Sequence, residues 1–337
     1  MAVTIRDIAE KSGVSVSTVS LVINHKGYVS GKTRERVTDV IEKMNYKPLH
    51  SARKLATKMT GNIGYIVWEG HFYEVEMFYS QIFLGMEYAV RDSDYYILLT
   101  TIKEQFDPKE NLPRFLKYND IDGVALAGRV PNSIIDYLEH QRIPFVLIDY
   151  GVPGKVYNSV VIDNYNGAYS AVEHLIKNGR RRIGFVGGSF FHPSIKERYR
   201  GYKEALEYNG IDGNIFSDYA YLKDVETSRS IGERGASSLL SLDPVPDAIF
   251  CCNDSTAIGV MSNVQKKGYR IPDDVAIVGF DDIPSAVFNS PKLTTVRVPK
   301  LDIGKEAIKL LIELINNPDT TPQTRTISVE LVKRESS

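Results

Sequence analysis

Apolar residues recur at helical spacing through the first 45 positions. Ile5, Ile8 and Ala9 share one face of a segment that Thr4 can cap, with Asp7 three residues on to return the bond. Gly13 supplies the backbone freedom for a tight turn and Val14 plugs the angle. Ser15 then caps a second helix that carries Val19, Val22 and Ile23 inward. Ser30 caps a third, roughly Lys32 to Met44, whose inward face is Val37, Val40, Ile41 and Met44. Asn45-Tyr46-Lys47-Pro48 ends it, because proline disfavours helical geometry in the residue before it. The first pair reads as a helix-turn-helix with Val16, Ser17, Ser20 and Leu21 facing outward, where such motifs meet base edges in the major groove. A generic pair of bundle helices is the alternative at this point.

From Asn62 the period changes. Ile63–Trp68, Tyr95–Thr101, Gly123–Gly128, Phe145–Asp149, Ile183–Gly188, Ala248–Asn253 and Ala276–Asp281 read as strands. Tyr79–Arg91, Ser133–Gln141, Asn166–Asn178, Lys196–Tyr208, Val225–Ser241, Ser255–Lys267 and Leu301–Ile315 read as helices between them. Strand-helix alternation predicts parallel sheets covered on both faces. So long a body exceeds one comfortable core, so two sheets are expected, divided near Val160–Asn164.

Composition narrows the class. The 337 residues are 43% hydrophobic and 25% charged, as in an ordinary soluble protein. The two cysteines, Cys251 and Cys252, are adjacent in an apolar run, so neither a disulfide framework nor a metal cluster is expected, and a cytoplasmic location fits. No signal peptide or membrane span is expected from the apolar runs. The net charge of −1 hides a division, since residues 1–60 hold eleven Lys and Arg against five acids, a net of +6. A basic head on an acidic body is the footprint of a head that meets phosphate.

Ligands of open parallel sheets bind beyond the carboxyl ends of strands. Those ends here carry Trp68-Glu69-Gly70-His71-Phe72-Tyr73, with Phe78 and Tyr79 opening the next helix, then Asp149-Tyr150, Gly188-Ser189-Phe190-Phe191-His192, Asn253-Asp254 and Asp281-Asp282. Aromatic faces with a few fixed polar groups suit a sugar, whose C–H faces stack and whose hydroxyls need partners. Glu69, His192 and Asp282 are expected on the surface instead.

The helix-turn-helix, the third helix, Asn45-Tyr46-Lys47-Pro48 and then Ser51-Ala52-Arg53-Lys54-Leu55-Ala56 resemble the headpiece and hinge of the LacI/GalR family of bacterial transcription regulators. The resemblance implies a hinge helix that forms on DNA, with Leu55, preceded by Arg53 and Lys54, wedging into the minor groove, as apolar wedges do when they kink a duplex. It implies DNA contacts from Thr4, Ser15, Val16, Ser17, Thr18, Ser20, Leu21, Asn24, Tyr28, Arg53, Lys54 and Leu55. Many members carry arginine or histidine where this chain has Leu21, which can offer only apolar contact, for instance to a thymine methyl. Leu49, His50 and Ser51 also depart from the usual asparagine, alanine and valine.

The body resembles the periplasmic-binding-protein fold of that family, two doubly wound parallel-sheet lobes joined by three crossings. The implied division is a headpiece 1–48, a hinge 49–61, an N-terminal lobe from 62–161 and 291–323, and a C-terminal lobe from 162–290 and 324–337. The crossings are expected near 160–163, 289–293 and 321–326. By the family pattern Arg198, in Arg198-Tyr199-Arg200-Gly201, and Asp281, Asn253 and Asp149 face the effector, beside the aromatic candidates Trp68, Phe72, Phe78, Tyr79 and Phe190. The expected protein is a homodimeric repressor on a palindromic operator, controlled by a sugar between its lobes and working in the cytoplasm at the nucleoid, with no membrane partner. A global regulator that docks a phosphocarrier protein and a solute-binding protein of transport are the alternatives. An enzyme is not expected, since the six histidines lack metal-ligand spacing and no nucleophile, phosphate-loop or dinucleotide motif occurs; no cofactor is implied.

Overall fold

Three short helices form first because their apolar faces have one another to cover. α1 (Ile5–Ser12), α2 (Val16–Ile23) and α3 (Gly31–Lys43) close around Ile8, Val19 and Val37, all fully buried. The capping box is in place, with Thr4 accepting from the Asp7 amide while the Asp7 carboxylate takes the Thr4 amide. Gly13 ends α1 at φ 61°, a left-handed position that suits glycine. Ser15 and Ser30 accept from the amides of Thr18 and Thr33 and start the next two helices. The computed structural model describes residues 3–23, 27–46, 59–70, 78–91, 93–211, 219–223 and 225–337, and the chain divides into two compact units, Met1–Gly61 and Asn62–Ser337.

In the second unit, strands and helices alternate as the period change predicts. The first series is β1 (Asn62–Trp68), α4 (Phe78–Val90), β2 (Tyr96–Ile102), α5 (Arg114–Lys117), β3 (Gly123–Ala127), α6 (Asn132–Gln141), β4 (Phe145–Ile148) and β5 (Ser159–Ile162). The second is α7 (Asn164–Lys177), β6 (Ile183–Gly187), α8 (Pro193–Tyr208), β7 (Ala220–Leu222), α9 (Arg229–Leu239), β8 (Ala248–Cys251), α10 (Asp254–Lys266), β9 (Ala276–Asp281) and β10 (Thr294–Arg297). Helix α11 (Lys300–Asn316) and the strands β11 (Thr324–Ile327) and β12 (Glu330–Val332) complete the chain.

The strands form two six-stranded sheets, ordered β11-β5-β4-β3-β1-β2 and β12-β10-β9-β8-β6-β7. Every pairing is parallel except β12 on β10. Each sheet with its helices is a lobe. Two of the expected crossings move. β10 pairs with β9, so the second crossing follows Arg297 and not 289–293; β11 pairs with β5, so the third follows Ile327 and not 321–326. The lobe boundaries expected at 291 and 324 shift with them. Two strands account for the moves: Thr294–Arg297, which the apolar runs do not mark, joins β9, and the terminal segment is divided at Ser328 and Val329 between the two sheets. The hinge residues 49–58 lie outside the described residues.

The crossing helix α11 packs along α4 at a seam that leaves no room for side chains. A Cβ at Gly85 would stand 2.1 Å from the Leu301 carbonyl oxygen, and one at Gly304 would stand 2.1 Å from that of Ile82. Gly304→Ala should therefore separate the two helices and lower unfolding stability by about 1–3 kcal/mol in a urea titration. Unchanged stability would contradict this seam.

Candidate functional site

Two surfaces carry chemistry, one in each unit. On the headpiece, Val16 and Leu21 are 41% and 37% exposed and Tyr28 is 97% exposed, which leaves large apolar groups facing outward with no core to join. Ser17 is also exposed, Thr18 and Ser20 are half-buried, and Arg6, Lys11, Lys32 and Arg36 stand on the surface. The hydroxyls of Thr4 and Ser15 already serve as helix caps, Ser15 also lying 2.7 Å from Ser17 Oγ. Asn24, Arg53, Lys54 and Leu55 lie outside the described residues.

In the body, the carboxyl ends of both sheets converge on one cleft of about 530 Å³. Among the expected residues, Trp68, Phe78, Tyr79, Asp149, Arg198, Asn253 and Asp281 line it. Phe72 lies outside the described residues. Phe190 does not line the cleft, a correction with a local cause. Ser189 Oγ accepts the Phe191 amide at 3.1 Å in the loop after β6, and Phe190 packs on Tyr199 in a shallow outer groove with Phe191, Leu222 and Lys223.

The second correction is to the residues expected on the surface. Glu69 and His192 line the cleft, whereas Asp282 points away from it to Arg297 at 2.8 Å and Arg334 at 2.6 Å. Ser194, Ile195, Glu104, Glu226 and Thr227 also line it and were missed. Ser194 and Ile195 open α8 directly beyond a strand end, the place where the strand-end rule points. Glu226 and Thr227 were hidden by reading a helix from Val225, since α9 starts only at Arg229 and a short β7 precedes the loop.

Arg198 is the centre of the second-lobe wall and only 5% exposed. Its Nε donates to Asn164 Oδ1 at 2.7 Å, Nη1 donates to the Cys252 carbonyl at 2.5 Å, and its guanidinium lies 3.7 Å from the Phe280 ring centre. Nη2 sits 3.2 Å from Asp281 Oδ1, without the alignment of a hydrogen bond, so that oxygen is buried and short of a hydrogen-bond donor. Burial raises the Asp281 carboxyl to about 6, although Arg198 and Lys300 pull it down.

Across the cleft, Asp149 accepts from Ser194 Oγ at 2.7 Å, a contact that joins the lobes, and from Tyr79 Oη of its own lobe at 3.3 Å. Burial raises its carboxyl as well, and the Arg198 charge opposes the rise. Asn253 caps α10 and donates to Thr227 Oγ1 at 2.8 Å, so it positions that hydroxyl. His192 is held at about 4 by burial and by the charges of Arg198 and Arg129, hence neutral at physiological pH, and its Nδ1 has no hydrogen-bond partner. The wall is rich in carboxylates, and its one arginine already has partners. Such a lining suits an uncharged ligand that brings hydroxyl donors and an apolar face. Among the described residues no group of His, Cys, Asp or Glu could hold a metal ion, and no helix is long and apolar enough to cross a membrane.

Comparison with known proteins adds an independent finding. The family model described as "Bacterial regulatory proteins, lacI family" matches residues 4–48, and that described as "Periplasmic binding protein-like domain" matches residues 172–337. The HTH-type transcriptional repressor PurR of Mannheimia succiniciproducens is 32% identical over 99% of this chain and 98% of its own length. The PurR of Vibrio atlanticus is 31% identical over 98% and 97%. A transcriptional regulator CelR–cellobiose complex superposes with a TM-score of 0.75 at 29% identity, over 99% of this chain and 100% of the other. A LacI family transcriptional regulator from Enterococcus faecium with bound ribose gives 0.69 at 25% over 82% and 98%. The lac repressor dimer bound to operator and the anti-inducer ONPF gives 0.79 at 24% over 100% and 99%, a likeness of fold.

The raised Asp281 carboxyl has a consequence for stability. Between its ordinary value of 3.8 and about 6 the folded chain keeps a proton that the unfolded chain has released, so stability falls as pH rises through that window and stays lower above it. Asp281→Asn removes the loss. Its melting temperature should gain on that of wild type between pH 4 and pH 7, by a few degrees at most; a difference independent of pH would contradict the buried, raised carboxyl.

Proposed function

The chain belongs to the LacI family of bacterial regulatory proteins and is a DNA-binding transcriptional repressor, and from that premise we propose that its operator affinity is set by a sugar bound between the two lobes. The observation that carries the sugar is the pair of buried, unsatisfied polar atoms, Asp281 Oδ1 and His192 Nδ1, in a cleft walled by Trp68, Phe78 and Tyr79. A ligand whose hydroxyls reach both atoms and whose C–H face lies on the rings removes two desolvation penalties at once. Support comes also from two similar structures that hold cellobiose and ribose. In this reading Asp149, Arg198, Asn253 and Asp281 form the polar wall.

The headpiece reads operator DNA through the exposed start of α2. Val16, Ser17, Ser20 and Leu21 meet base edges and Tyr28 the backbone, while Thr4, Ser15 and Thr18 shape and flank that face, and Asn24 is a further DNA contact. Leu55 wedges the minor groove, with Arg53 and Lys54 before it on the phosphates. One headpiece reads few bases, so the working form is a homodimer on a palindromic site, in the cytoplasm. The sugar acts by differential affinity for open and closed lobes; it shifts their balance only by that difference.

A panel of neutral sugars in a thermal-shift assay should find a ligand that raises the melting temperature of wild type. Asp281→Ala should lose that response and keep operator affinity. A variant that still responds would refute the site. Operator affinity should fall by roughly a thousandfold between 50 and 200 mM salt, as for six or more phosphate contacts in the dimer. A flat salt dependence would remove the basic headpiece from DNA binding.

A further inference from the structure

Lys300 opens α11 just after the chain leaves the second lobe for the first, and it is 4% exposed. Its ammonium donates to the main-chain carbonyl of Asp281, to that of Asp282 at 3.3 Å and to that of Val298 at 3.4 Å. It also lies 5.6 Å from the ring centre of Phe78, the cleft residue that starts α4. A buried ammonium is costly unless its protons are accepted, and here three carbonyls accept them.

Two of those carbonyls, of Asp281 and Asp282, belong to an unusual turn. Asp281 and Asp282 hold φ of 108° and 52°, conformations that persist only where the surroundings impose them. The opposite side of the turn is held by Asp254, whose Oδ2 accepts the Ile283 amide at 2.9 Å and whose Oδ1 accepts the Thr295 hydroxyl at 2.5 Å. Gripped from both sides, the turn sends the Asp281 carboxylate into the cleft and the Asp282 carboxylate out to Arg297 and Arg334.

We propose that Lys300 is a positioning residue of the effector cleft, fixing the turn that aims Asp281 at the ligand and pinning that strand end of the second lobe to α11 and Phe78 of the first. It deepens the reading of the cleft as a sugar site and rests on it. The charged groups that face Asp281 are Arg198 from α8, Lys300 from α11, Asp149 beyond β4, Asp254 from α10 and Asp282 beside it. Arg198 and Lys300 favour the carboxylate, while burial and Asp149 oppose it. Removal of the ammonium therefore raises the Asp281 carboxyl, which a general loosening of the turn toward water would not do.

The test is a carboxyl ¹³C NMR titration of full-length protein labelled at aspartate, with the Asp281 signal assigned by its loss in Asp281→Asn. Wild type should titrate near 6. Lys300→Met should titrate higher, by about one unit or more. Lys300→Arg, which keeps a cation and donors, should restore most of the difference. A Lys300→Met midpoint equal to or below that of wild type would overturn the proposal. If Lys300→Met fails to fold, the wild-type protein decides through the exchange of its Lys300 Nζ protons. Slow exchange with a coupling to the Asp281 carbonyl supports the pin, and rapid exchange overturns it. The sugar reading fails separately, through an Asp281→Ala variant that keeps its thermal response while the wild-type titration stands.

Discussion

The buried arginine at the end of the second lobe constrains everything around it. An ionised guanidinium out of water is tolerated only when its charge and most of its N–H groups are answered. Arg198 is answered by Asn164 at the first lobe crossing, by the Cys252 carbonyl at the end of β8, by the Phe280 ring and by Asp281 at the end of β9. One side chain thus fixes four points of the fold and builds a rigid wall. It also bears on the ligand chemistry, because an arginine whose charge is already shared with Asp281 is a weaker anchor for phosphate or carboxylate than a free one. What the wall leaves short of a donor is Asp281 Oδ1, which asks for a hydroxyl.

The same arrangement explains why the site is a weak place in the fold. Burying Asp149 and Asp281 raises both carboxyls, and the turn at Asp281 holds two residues at positive φ. These are costs that a stable core would avoid and that a binding site retains. The helix seam at Gly85 and Gly304 and the grip of Lys300 and Asp254 offset them from outside the cleft.

Much of this was legible in the residues. The headpiece was, because its caps, Gly13 and its apolar spacing all act over a few residues. So were β1 to β4, β6, β8 and β9, since buried parallel strands read as apolar runs, whereas β5, β7 and β10 were not. Seven of the nine expected cleft residues line one cavity, for strand ends point there whatever the details of packing. The rest depended on long-range pairing. Nothing local says that Thr324–Ile327 joins β5 while Glu330–Val332 joins β10, or that a three-residue β7 precedes Glu226. His192 was misjudged because a lone histidine carries no sign of its burial, and Phe190 because the turn at Ser189 decides which way the loop faces. Lys300 carries no local sign of its place, which depends on the carbonyls of a turn distant in sequence.

A neutral sugar in this cleft is proposed to govern operator binding through Asp281. Fluorescence anisotropy of labelled operator with the full-length protein, repeated across neutral sugars and their phosphorylated counterparts, tests it most directly. At least one neutral sugar should change operator affinity by fivefold or more, its phosphorylated form should not, and Asp281→Ala should abolish the change. An operator affinity indifferent to every neutral sugar, or a response that survives Asp281→Ala, would contradict it.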